Sequence, residues 1–315
     1  MTSLATALDE YLGMRQGLGI RFRVPAGLLR RFVAFLHGEG QEVITRELAL
    51  QWAMAPRHAQ PATWAWRLGI VRRFAIWRQA TDRRTEVPPA GLLPHRFRRP
   101  RPHLYTDGEI RALLTAARAL PSPRGLRGLT YATLFGLLAV TGLRVSEALM
   151  LDDADVALDR DLLTIRRTKF GKSRIVPVHR STTEVLMRYA EARDRLLPKR
   201  PTPAFFVSER GTRLAGDNTR HTFVLVSRRA GLRPPTAGCR HGHGPRLHDM
   251  RHRFAASTLV AWYRAGRDVE RELPKLATYL GHVHVNDTYW YLEAVPELLH
   301  LAAARVTGAA EEDRR

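Results

Sequence analysis

Between Val87 and Tyr105 the sequence runs VPPAGLLPHRFRRPRPHLY, with prolines at 88, 89, 94, 100 and 102. Proline has no backbone N–H and a fixed φ, so neither a helix nor a central strand passes through such a stretch. The chain is therefore expected to fold in pieces: a domain over residues 1–90, a basic linker over 91–104 and a second domain over 105–315. With 315 residues, 44% of them hydrophobic, it is long enough for a core on each side.

The first piece reads as helices. Pro25 opens GLLRRFVAFLHGEG where a missing N–H costs nothing, and Gly38 is placed to close it. Thr45 is a cap for RELALQWAMA, and Trp64, Leu68, Val71, Phe74 and Trp77 recur at helical spacing. In the second piece, Thr106 and Glu109 spell a capping box, and RGLTYATLFGLLAVTGL is a core helix ending near Gly142. DLLTIRR and RIVPV are β-rich runs around a lysine-bearing hairpin. Ser181 and Glu184 predict a second capping box, AFFV a short strand, and the remainder helix. The fold class expected is mainly α with a small β-sheet.

Charge narrows the partner. Lys and Arg number 51 against 30 Asp and Glu, a formal net charge of +21, which suits a polyanion. Nucleic acid is the first choice and an anionic membrane surface the second. The longest apolar run, LTYATLFGLLAVTGL, falls short of the roughly 20 residues a spanning helix needs, and MTSLATALDEYLG is no signal sequence. A single cysteine, Cys239, leaves no internal disulfide, so the expectation is a soluble cytoplasmic protein.

Four local signals carry chemistry, and each has a plain structural reading when taken alone. Arg144 and Glu147, three apart at a helix start, share a face, as any surface ion pair does. His248 and Arg251 are a positive pair that either meets an anion or forms a solvated basic face. Lys169 sits at a hairpin tip. His282 precedes Tyr291 by nine residues within YLGHVHVNDTYWYLEA, beside Tyr279, Tyr289 and Trp290, an aromatic group that is usually core.

In order along the chain, TGLRVSE, TKFGKSRIVPV, HDMRHRFA and YLGH followed by TxxY resemble the tyrosine recombinases, the phage integrase family. The resemblance covers about residues 103 to 295. It implies a helical core-binding domain ahead of a catalytic domain, and assigns Arg144 and Arg251 to the scissile phosphate. By the same resemblance Lys169 is the general acid for the 5′-oxygen, His248 a base or hydrogen-bond partner, and His282 a brace on a phosphate oxygen. Tyr291 is then the nucleophile that forms a 3′-phosphotyrosine, with Glu147 supporting Arg144.

Such chemistry needs no ATP or metal, and the sequence carries no GxxxxGK[ST] loop. Its only candidate carboxylate cluster, Asp152, Asp153 and Asp155, has the tight local spacing of a loop. The loop at 236–246, with Cys239, His241 and His243 ahead of His248, lacks paired zinc-ligand spacing and reads as a glycine-rich loop beside DNA. No cofactor is expected. Double-stranded DNA is the implied partner, with a homotetramer on paired sites implied by analogy, through a closing helix at PELLHLAAARV, and room for a partner recombinase. An integrase, a transposase of a mobile element and a dimer resolvase share this chemistry; an inactive architectural DNA-binding protein and a type IB-like topoisomerase are the rival readings. Two departures stand out: the RAGRDVERELPK segment before His282, and the second phenol, Tyr289, beside the expected nucleophile.

Overall fold

The computed structural model describes residues 2–20, 22–95, 102–166, 173–234, 244–282, 284 and 288. The chain divides into two compact units, Met1–Pro100 and Arg101–Arg315.

The first unit contains α1 (Leu4–Gly17), α2 (Arg23–Gly38), α3 (Arg46–Met54) and α4 (Pro61–Gln79). Thr45 caps α3 by accepting from the Leu48 N–H at 3.3 Å. α2 starts at Arg23, two residues before Pro25, and its closing residue is Gly40 rather than Gly38. Gly40 has φ +69°, and the Gln41 N–H returns to the Leu36 carbonyl at 2.9 Å. A helix stops where one residue turns left-handed so that the next N–H can satisfy an orphan carbonyl, and only the second glycine does so. Leu29, Phe32, Leu36, Ile44, Val71 and Phe74 are fully buried between these helices, and the Tyr11 ring packs on Phe74 and Trp77 at 5.3 and 5.5 Å. Each such apolar side chain contributes roughly 1.5–3 kcal/mol relative to an exposed one.

The second unit is built around α6 (Leu126–Thr141), which is buried on nearly every side, as its almost continuous apolar sequence requires. Around it pack α5 (Asp107–Arg118), α8 (Arg180–Leu196) and α10 (Leu247–Arg264). The Thr106–Glu109 capping box of α5 forms in full. Ser181 does not cap α8. The helix begins earlier, at Arg180, with His179 as its cap, whose Nδ1 accepts from the Ser181 N–H at 3.2 Å.

A three-stranded antiparallel sheet joins β1 (Val156–Ala157), β2 (Leu162–Ile165) and β3 (Arg174–Pro177), with Ile165 opposite Arg174. The AFFV segment is buried as expected for a strand, but among the described residues it makes only isolated bridges, at Ala204 and Val207. The remaining elements among the described residues are α7 (Val145–Leu149), a short 3-10 helix (Asp153–Asp155), α9 (Gly216–Arg229) and α11 (Val269–Leu280). Together they make a mainly helical fold with one small sheet. Among the described residues, no helix is long and apolar enough to cross a membrane.

Candidate active site

The turn after α6 sets the first arginine. Gly142 takes φ +62°, where a Cβ would lie 2.6 Å from the Phe254 ring, so the chain reverses at a residue only glycine can fill. Two residues on, Arg144 is the N-cap of α7 and Glu147 its third residue. The Glu147 carboxylate accepts from the Arg144 backbone N–H at 3.0 Å and from its Nη1 at 2.8 Å. A guanidinium has no acceptor to return a capping bond, so the pair is an ion pair built on a helix start.

The far end of that site is the C-terminus of α11. The last carbonyls of a helix have no partner within it and carry the negative end of its dipole. Here those carbonyls collect three guanidiniums from three different elements. Arg174, opening β3, donates from Nε to Tyr279 O at 2.8 Å. Arg251, on α10, donates to Leu280 O at 2.7 Å and to Gly142 O at 2.8 Å. Arg144 donates to Leu280 O at 3.5 Å and Gly281 O at 3.1 Å. Arg144 and Arg251, 107 positions apart by their numbers, thus share one carbonyl oxygen. Gly281 turns the chain at φ +69°, and His282 follows with Nδ1 2.7 Å from Oγ1 of the fully buried Thr288.

Exposure separates the arginines. The Arg144 side chain is 29% exposed and that of Arg174 11%, while Arg251 as a residue is only 2% exposed. Arg251 is therefore no part of a solvated basic face. Arg144 and His248 line a concavity of about 480 Å³, rimmed also by Arg220 and Arg246 and floored by Phe223 and Leu247. His248 is an exposed residue at the mouth of the concavity, with protein atoms crowding one side of its ring; that desolvation first, then the charge of Arg251 and Arg144, lowers its pKa to about 4 against the opposing pull of Asp249. The imidazole is neutral at neutral pH. Burial alone would raise the Glu147 pKa, but hydrogen bonds and charge from Arg174, then Arg144, hold it below the usual carboxylate range.

Of the residues singled out in the sequence, Arg144, Glu147, Arg251 and His282 meet at the end of α11, and His248 joins Arg144 at the concavity. Lys169, Tyr289 and Tyr291 lie outside the described residues, as do Cys239, His241, His243 and the C-terminal PELLHLAAARV segment. Asp152, Asp153 and Asp155 are held by arginines: Asp152 by Arg213, Asp153 by Arg193 at 2.8 Å and Arg200 at 2.6 Å, and Asp155 by Arg166. Among the described residues no cluster of His, Cys, Asp and Glu is placed to hold a metal ion.

Arg174 is the residue sequence reasoning passed over. The signal was present in its phase: Ile175 is 63% exposed and Val176 fully buried, so Arg174, two residues from Val176, points inward on a strand with period two.

Residues 104–297 match the family model described as the phage integrase family. Over 97% of this chain and 98% of its own length, the Sinorhizobium fredii protein y4rB, which carries an integrase/recombinase name, is 50% identical. Tyrosine recombinase XerD of Neisseria meningitidis serogroup B is 33% identical over 78% of this chain and 74% of its own. Among solved structures, the Tn1549 transposon integrase in complex with transposon right-end DNA superposes with a TM-score of 0.65 at 14% identity, covering 98% of this chain and all of that one. A lambda integrase tetramer bound to a Holliday junction gives 0.63 at 15% identity, over 92% of this chain and 77% of that one.

Proposed function

The chain belongs to the phage integrase family, and from that premise we propose a site-specific DNA recombinase that cleaves and rejoins strands through a covalent 3′-phosphotyrosine. The observation that carries the reading is the convergence of Arg144 and Arg251 on the α11 carbonyls, with a neutral His248 beside Arg144 at an open concavity.

The site performs in-line phosphoryl transfer as follows. The Tyr291 oxygen attacks the scissile phosphorus, the bond to the 5′-oxygen breaks, and charge builds on the non-bridging oxygens. Fixed guanidiniums answer that charge without reorganising, and forked donors fit it better than lysines do. A phenol with an ordinary pKa of about 10 must shed its proton as it attacks, and a neutral His248 can take it. Lys169 protonates the departing 5′-oxygen, and His282, fixed by Thr288, braces a phosphate oxygen. Residues 1–90 serve as core-binding domain, 91–104 as a basic linker and 105–315 as catalytic domain. The DNA-bound relatives in fold support duplex DNA as substrate, and the tetrameric one supports assembly on paired sites. The integrase/recombinase name of y4rB supports strand integration or recombination as the activity, and the mobile-element setting is part of this proposal.

The test is a nicked suicide duplex carrying candidate element-end DNA, offered to wild type, Tyr289→Phe and Tyr291→Phe. An SDS-stable protein–DNA adduct is expected with wild type and Tyr289→Phe and not with Tyr291→Phe. An adduct that survives Tyr291→Phe and disappears in Tyr289→Phe would move the nucleophile. Exchange between two labelled duplexes then separates a recombinase from a nicking topoisomerase.

A further inference from the structure

Glu147 is bound more completely than an ion pair with Arg144 requires. Its Oε1 accepts from Nη1 of Arg144 at 2.8 Å and Nη1 of Arg174 at 3.0 Å, and its Oε2 accepts from Nη2 of Arg174 at 2.9 Å and the Arg144 backbone N–H at 3.0 Å. A carboxylate has about four acceptor sites, so the rotation of this one is fixed. Two of the four bonds come from Arg174, whose third donor is tied to Tyr279 O, and whose side chain is 11% exposed. Arg174 does not line the concavity; Arg144 does.

We propose that Arg174 is a positioning residue for Arg144: its planar fork locks the Glu147 carboxylate, which in turn aims the Arg144 guanidinium at the scissile phosphate. The inference rests on the phosphate-binding reading of Arg144 given above. Without the fork, a buried carboxylate keeps only half its bonds and is free to turn, and Arg144 turns with it. Lysine at 174 restores a charge but only a point contact, so it fixes the carboxylate in part.

A change in the substrate separates this role from simple scaffolding. Replacing one non-bridging oxygen of the scissile phosphate by methyl gives a neutral methylphosphonate, whose transition state carries one negative charge fewer and leans less on a guanidinium. Adduct formation is therefore measured on matched nicked duplexes, phosphate and methylphosphonate, at the sequence where wild type forms an adduct. Wild type, Arg144→Ala, Arg174→Gln and Arg174→Lys are compared, with DNA affinity and thermal unfolding measured alongside.

On phosphate, Arg144→Ala is expected to lose on the order of a hundredfold or more and Arg174→Gln roughly tenfold to a hundredfold, with Arg174→Lys between Gln and wild type. On methylphosphonate both losses shrink, with DNA affinity unchanged. If the Arg144→Ala loss shrinks and the Arg174→Gln loss is the same on both substrates, Arg174 is scaffolding and the inference falls while the site reading stands. If the Arg144→Ala loss does not shrink, the phosphate-binding reading fails first. Should Arg174→Gln not fold, Arg174→Lys carries the same comparison, and an undiminished loss there overturns the inference.

Discussion

His248 is exposed as a residue, but protein atoms crowd its ring; that desolvation first, then the charge of Arg251 and Arg144, lowers its pKa to about 4 from an ordinary value of 6.5. In the unfolded chain the ring binds a proton as pH falls through 6.5; in the folded protein it waits until about 4. The unfolded state therefore binds more protons across that window, and stability falls as pH drops from about 6.5 to about 4, and is level above it. Urea unfolding at pH 7 and pH 5 is expected to show a larger loss for wild type than for His248→Gln. Equal losses would take His248 out of the pH dependence. The same desolvation that makes the folded state sensitive to acid keeps the imidazole unprotonated at neutral pH, with a ring nitrogen available as a hydrogen-bond acceptor for the attacking phenol.

α11 contributes chiefly through its last turn, where three carbonyls receive Arg144, Arg174 and Arg251. The reversal that presents them depends on Gly281 at φ +69°, where an added Cβ would lie 2.6 Å from Nη1 of Arg174. Gly281→Ala is expected to cost roughly 1–2 kcal/mol for the left-handed backbone alone and more for the displaced guanidinium, with cleavage lost in step. Gly136, inside α6, gives the opposite sign: its added Cβ would meet only Leu114 at 3.8 Å, so Gly136→Ala is expected to stabilise by up to about 1 kcal/mol. Thermal unfolding of the two variants checks both, and a neutral Gly281→Ala would show that the turn does not constrain Arg174. Much of this element level was readable beforehand. Thr45, Thr106 and the Gly142 stop are local signals, and each forms as the local chemistry dictates. The Ser181 box failed because His179, two residues upstream, offers a ring nitrogen to the same helix end, a competition that sequence patterns do not rank.

For the whole molecule, a net charge of +21 spreads DNA affinity over many phosphates, while the chemistry depends on a few guanidiniums. Arg144→Ala is accordingly expected to leave the DNA dissociation constant within about threefold while cleavage falls on the order of a hundredfold or more. Raising salt from 50 to 200 mM should weaken wild-type binding by about 10³–10⁵ if six to ten phosphates are contacted. Filter binding beside the adduct assay checks both, and an affinity that collapses in Arg144→Ala would place binding and catalysis on the same group. By itself the sequence determined the mainly helical fold, the polyanion preference and the order of the reactive words, because proline placement, hydrophobic period and net charge are written one residue at a time. Only the tertiary structure decided that Arg251 is buried, that Arg174 shares Glu147 with Arg144, and that the carboxylates at 152, 153 and 155 are held by arginines. The first two depend on carbonyls and side chains brought together from the end of α6, α7, β3, α10 and α11, and the third on Arg166, Arg193, Arg200 and Arg213 from elsewhere in the second unit; distance in space between such groups has no counterpart in their distance along the chain.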